Sequence, residues 1–241
     1  IYTGEDTLSL HDALPISQWR SREMEPLHIS GTLLAGFVGG VDDAIHLDGV
    51  LSAAVFGCQL VGAKVDPSES FVLPLPVALH WVDGAGRPLW LATNFRTAAT
   101  PHGVAYIHSR YPTYRADLAD RQSVLTSAGQ YKDARIPLRV TTASKIEAWC
   151  IGSADDIREL LGGVTHVGRK PAHGHGRVVR WLVQPAPGID AEWILQRRPV
   201  PIAALGKTAI PADRVAPRTG WTPPYWDDRL HAACRRPAWT S

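Results

Sequence analysis

Between Ser153 and Gln184 the chain carries its most restrictive local signal. Ser153-Ala154-Asp155-Asp156 sets an N-cap serine ahead of an acid at the third helical position, close to a capping box. Ile157, Leu160 and Leu161 supply one apolar face, and Gly162-Gly163 stop the helix. A glycine-rich loop over 168–176 then runs straight into a strand over 177–184. Within that loop and its exit, Gly168, Gly174 and Gly176 permit close approach, while Arg169, Lys170, His173, His175 and Arg177 supply donors. Small residues for access and cations for charge are what a phosphate cradle needs; a plain connecting turn is the competing reading.

Upstream, 26–34 alternates around Leu27, Ile29 and Leu33 and reads as a strand. Leu47, Leu51, Ala54, Val55 and Cys58 fall on one face of a helix over 46–60. Residues 75–94 read as a hairpin turning at Asp83-Gly84-Ala85-Gly86. Residues 96–135 are polar and aromatic, with no sustained apolar period. A stretch this long inside a domain is more often functional than idle, and it reads as a projecting insertion, a hairpin or short helices. Residues 138–151 return to strand character, and 185–241 is a proline- and tryptophan-rich wrap of irregular structure and short strands. The order strand, helix, strand, insertion, strand, helix, loop, strand is compatible with a β-α-β-β-α-β ferredoxin-like α+β fold.

Hydrophobic residues make up 45% of the 241-residue chain and charged residues 20%. That balance excludes a disordered tail or a coiled coil. No apolar run approaches the roughly 18–20 residues of a membrane-spanning helix, so no membrane partner is expected. Cys58, Cys150 and Cys234 are few, far apart and without a C-x-x-C, which argues against a disulfide framework or a zinc knuckle. A soluble, cytoplasmic protein without cofactor or metal is the expectation. The sole methionine is Met24, and TLSLHDALPIS at 7–17 resembles one reading frame of a common sequencing adapter. Residues 1–23 are accordingly expected to be non-native, 24–184 to form one domain, and 185–241 to pack on it as an extension. Charge is uneven: residues 24–130 hold 6 Lys/Arg against 9 Asp/Glu, and 131–241 hold 17 against 10. Such polarity suits a basic face for a polyanion, or is a solvated surface with accidental asymmetry.

KIEAWCIGSADDIRELLGGVTHVGRKPAHGHGRVVRWLV at 145–183 resembles the glycine-rich-loop signature of the CRISPR-associated RAMP superfamily. There, a helix ending in paired leucines precedes a glycine, basic residues and a G-x-G entering a strand. MEPLHISGTLLAGFVGGVDDAIHLDGVLSAAVF at 24–56 is similar to one branch of that superfamily, the third Csf-type subunit of type IV CRISPR effector complexes. Gly220-Trp221 and Pro224-Tyr225-Trp226 support the narrower match.

The resemblance implies a ferredoxin-like RAMP core with a thumb-like insertion, and a non-catalytic subunit that binds the 5′ handle of the guide crRNA. It implies docking on the repeated backbone subunit and the large subunit, near where target DNA is read. RNA contacts are then expected from the loop residues above and from Arg110, Tyr111 and Arg115 of the insertion. Arg135, Arg139 and Lys145 are expected to line the RNA face of the sheet, or else a solvated edge. His46 either contacts RNA at the helix N-terminus or caps the helix. Two alternatives remain: a metal-independent repeat endoribonuclease using His102, His108, Tyr111 and Lys132, and a generic single-stranded RNA-binding module. Against an RRM-type binder, the aromatic RRM strand signature is absent.

Overall fold

The computed structural model describes residues 23–38, 44–59, 73–98, 102–109, 133–206, 211–225 and 227–239. In chain order, the first half holds β1 (Glu25–Leu33), β2 (Phe37–Val38), α1 (Leu47–Gln59), β3 (Leu79–Val82), β4 (Pro88–Trp90), β5 (Arg96–Thr97) and β6 (His102–Ser109). The second holds β7 (Ala134–Thr141), β8 (Lys145–Gly152), α2 (Ala154–Gly162), β9 (Val178–Pro185), α3 (Ala191–Leu195), β10 (Val200–Pro201), β11 (Val215–Gly220) and β12 (His231–Arg235). The fold is mixed α and β, with antiparallel sheets and few helices.

The main sheet has the order β5-β8-β1-β9, every pair antiparallel. Strand alternation decides its two faces. Leu27 and Ile29 of β1 lie opposite Cys150 and Ala148 of β8, and all four are fully buried. Leu47, Leu51 and Val55 fall at i, i+4 and i+8 on α1, and they join Ile157, Leu160 and Leu161 of α2 in the same cluster. Both helices therefore cover one face. Each such aliphatic side chain removed from water contributes roughly 1.5–3 kcal/mol. Gly31 makes the close approach possible on β1: a Cβ there would meet the Trp181 ring at 2.8 Å. Trp181 in turn donates from Nε1 to the Val164 carbonyl at 2.8 Å.

The carboxy-terminal residues build a second core. Ile194, Leu195, Val200, Trp221 and Cys234 pack with Leu89 and Leu91, so the extension encloses the β3–β4 hairpin and its exit. An ion pair ties it to α1. Arg198, 1% exposed, meets Asp48 at 3.0 Å and also donates to the carbonyls of Trp90, Ala92 and Trp221. Tyr225 Oη donates to the same carboxylate at 2.8 Å. Burial works against the guanidinium charge, yet Asp48 and Tyr225 hold its pKa above the ordinary arginine value. Cys234, in this core, has its thiol pushed up to about 12 by burial.

Two expectations need correcting. The run 138–151 is not one strand: β7 ends at Thr141 and β8 begins at Lys145, in a different sheet. Thr142, Ala143 and Ser144 make the turn without glycine or proline, which is why sequence pattern did not flag it. Ser153 does sit at the N-cap of α2 in extended geometry, but its hydroxyl makes no capping bond. Its backbone N–H donates instead to the Pro76 carbonyl at 3.0 Å. The capping box is therefore present in sequence and absent in bonding. Residues 1–22 lie outside the described residues, as do Arg110, Tyr111, Arg115 and Lys132.

Candidate nucleic-acid interface

The loop joining α2 to β9 is closed at its neck by backbone bonds. The amide of Val167 donates to the Gly176 carbonyl at 2.9 Å, and that of Val178 to Thr165 at 2.8 Å. Beyond the neck, the loop lies along β2: the Arg169 amide donates to Val38 and the Gly176 amide to the Gly36 carbonyl. His173 and Gly174 amides bond to Lys170 and Pro171 within a 3₁₀ turn over Pro171–His173. These four N–H groups already have acceptors, so a phosphate here would be held chiefly by side chains, not by an amide nest.

The three glycines divide by role. A Cβ on Gly176 (φ +69) would lie 1.9 Å from the Val167 carbonyl oxygen, and one on Gly168 (φ +79) 2.8 Å from that of Val38. Both serve the loop's packing on its neighbours. Gly174 (φ +79) faces open space. Arg169, Lys170, His173, Gly174 and Arg177 are exposed, His175 is half-buried and Gly176 buried. Lys170 is the one non-glycine residue among the described residues with positive φ, at 62°. A lysine held in the left-handed region costs about 1–2 kcal/mol, and strain of this kind collects at functional sites.

The 96–135 insertion contributes β6, which pairs along its length with β7 as a two-stranded ribbon. One ribbon face carries Val104, Tyr106 and His108 opposite Arg139, Pro137 and Arg135. Arg135 lies over the Tyr106 ring, 3.8 Å from its centroid, a stabilising cation–π arrangement. Val104 and Tyr106 are 60% and 47% exposed, far more than a core would leave. β2 joins ribbon and loop: Val38 pairs with Val140 on one side and with Arg169 on the other. Two strand spacings of about 4.8 Å thus separate the Arg169 and Val140 backbones. Arg139, next to Val140, is therefore the ribbon cation nearest the loop, whereas Arg135 lies five residues from Val140 along β7, about 17 Å away along the strand.

Lys145 and His46 stand apart from the loop and the ribbon. Lys145 opens β8 and pairs with Glu147 at 2.7 Å, on the face of the main sheet opposite the helices. The Lys145 bond holds the Glu147 carboxyl below its usual range, against burial, with help from His28. His46 stacks on Tyr225 with centroids 3.8 Å apart. Desolvation there lowers its pKa to about 4 despite the Asp48 charge, so the ring is neutral at physiological pH. Its place is a packing position at the head of α1.

Sequence reasoning assigned Arg96 to the projecting insertion, whereas it lies on β5 of the main sheet, and it did not single out Arg180. They project from β5 and β9 on the helix-free face, both exposed and neither ion-paired among the described residues. The available signal was the alternation of Lys145 and Glu147 with the apolar Ile146 and Ala148 on β8, which marks a sheet face not packed on the core. Among the described residues no group of three or more His, Cys, Asp or Glu gathers where a metal ion could be held. No helix of the described residues is long and apolar enough to cross a membrane.

A family model described as CRISPR type IV associated protein Csf3 matches residues 97–236. That span, more than half the chain, takes in the ribbon, β8, α2, the glycine-rich loop and the carboxy-terminal part of the second core. Residues 24–56 lie outside it. No curated protein matches the chain.

Proposed function

The chain belongs to the Csf3 family of CRISPR type IV associated proteins, and from that premise we propose that it is the non-catalytic subunit of a type IV effector that grips the 5′ handle of the guide crRNA. The observation that carries this reading is the strained, exposed, cation-bearing loop Gly168–Arg177. A loop fastened to β2 at Val38 and Gly36 keeps its outward side chains in place, so ordering them on an RNA backbone costs less entropy. The ribbon supplies the complementary chemistry: Arg135 and Arg139 for phosphates, and an exposed Tyr106 ring for an unpaired base, each stack worth about 1–3 kcal/mol. The strand order β5-β8-β1-β9, with both helices on one face, supports a ferredoxin-like RAMP core with the ribbon as its thumb. On this reading, the neighbours in the cytoplasmic complex are the backbone and large subunits, with target DNA nearby.

Fluorescence anisotropy with labelled repeat RNA tests the proposal. The R169A/K170A/R177A variant should bind more weakly, and its log K against log salt slope should flatten by about 0.7 per lost contact, about 2 in all. An unchanged slope would remove the loop from the interface. Incubation of repeat RNA with the protein in EDTA should leave the RNA intact. Metal-free cleavage that is lost on His108→Ala would instead make the chain a nuclease.

A further inference from the structure

The helix-free face of the main sheet is a polar surface whose chemistry differs from that of a core. Leu27, Ile29, Ile146, Ala148, Cys150 and Val183 are buried on the helix side, so the other face carries His28 and Thr32 with Ser30 buried between them, then Lys145, Glu147 and Trp149, then Arg180, Leu182 and Gln184. β5 adds Arg96, opposite Glu147. At one end the face is closed by aromatic packing. Trp149 meets Trp193 of α3 edge-on at 5.4 Å and Trp239 at 5.9 Å, while His28 stacks on it at 5.0 Å. Arg197 lies 3.8 Å over the Trp193 ring. Burial and the nearby Arg96 charge lower the Arg197 pKa below the ordinary arginine value.

We propose that this face is a second track for single-stranded nucleic acid, with Arg96, Arg180 and Arg197 holding phosphates and the Trp149 end offering a stacking edge. The inference rests on the reading above in taking RNA as the ligand class, but it concerns a different surface from the loop and ribbon. Charge complementarity selects the occupant. Arg96, Lys145, Arg180 and Arg197 face a single carboxylate, Glu147, which Lys145 and His28 already engage at 2.7 and 3.1 Å. Among the described residues Leu182, 37% exposed, is the large exposed aliphatic of this face, and the rest of its apolar area belongs to half-exposed tryptophans. Four strands of this width take two or three splayed bases in RNA-binding sheets, and the half-exposed Trp149, Trp193 and Trp239 are suited to stacking.

The test uses the full chain and a labelled oligouridine of about a dozen nucleotides. R96Q/R180Q should weaken binding several-fold and reduce the salt slope by about 1.4, two contacts' worth for a single strand. E147Q removes the one opposing charge and should tighten binding about threefold. Ultraviolet crosslinking of the unmodified protein should leave adducts on peptides from 145–152 and 178–185, which does not depend on any variant folding. The idea is overturned if R96Q/R180Q keeps the wild-type affinity and slope, or if crosslinks map only to 168–177 and the ribbon. The loop variant separates the two proposals: loss there with none at R96Q/R180Q sinks this track alone, and the reverse sinks the loop alone. Protection of the face by a copurified protein subunit in RNA-free complex would also overturn it.

Discussion

Lys170 adopts φ 62 in an exposed turn where glycine would sit without cost. Lys170→Gly should therefore leave the melting temperature unchanged or slightly raised, since relief of about 1–2 kcal/mol offsets the added freedom of the unfolded chain. The same variant should weaken RNA binding. Opposite movement of the two readouts is what a residue kept for its ligand predicts. Glycines nearby sort the other way. Gly176→Ala drives a methyl into the Val167 carbonyl and should destabilise by more than about 2 kcal/mol, whereas Gly174→Ala, in open space, should cost only about 1 kcal/mol. Urea melts of the pair check this. His46 gives a pH signature. With a pKa of about 4 in the fold against 6.5 free, the unfolded chain takes its proton first as the pH falls. Its contribution is full above about pH 6.5, declines through the interval down to about 4 and then levels off. Asp48, Arg198, Tyr225 and Asn94 surround the ring, so the comparison is between wild type and His46→Gln: the variant's stability should fall less steeply over that interval.

Elements were legible where period and punctuation agreed. β1, α1, the 75–94 hairpin, α2 and β9 all lie within a residue or a few of where alternation, helical spacing and glycine placed them, because each packs against the first core or, for the hairpin, largely against the second. The strand predicted over 138–151 divides in two because Thr142, Ala143 and Ser144 carry no glycine or proline to mark the turn, and the break comes from a change of sheet partner that local sequence does not encode. Helix caps make a similar point. At α3, the Asp190 carboxylate accepts from the Trp193 amide at 2.8 Å, while Ser153 at α2 makes no such bond. Asp190→Ala should cost about 1 kcal/mol and Ser153→Ala well under that, despite the stronger sequence signature of the second. Paired thermal melts settle the comparison. As for the candidate site, the loop cations were visible as a cluster in sequence, and the ribbon cations were visible only as composition. Arg96 and Arg180 were hidden because their common face is made by strands far apart in the chain.

At the scale of the molecule, one buried pair joins the amino-terminal helix to the carboxy-terminal core. Arg198→Met leaves the Asp48 carboxylate buried beside Tyr225 without its counter-ion, and should cost about 3–5 kcal/mol. The D48N/R198M double variant should recover part of that loss, because neither charge is then stranded. A denaturation cycle over the four proteins measures the coupling. If the double variant is as unstable as the sum of the singles, the pair is not acting as a unit. The pairing of residues 150 positions apart was beyond sequence reading, since nothing local to Arg198 announces that it is buried.

β2 is only Phe37 and Val38, yet the ribbon hangs from one of its edges and the glycine-rich loop from the other. So short a rung has little stiffness of its own, and torque applied at the ribbon reaches the loop backbone through the Val38 and Gly36 carbonyls. A ligand that bent the ribbon would thereby tilt Arg169 and its neighbours, so that load on one side of this rung is felt on the other.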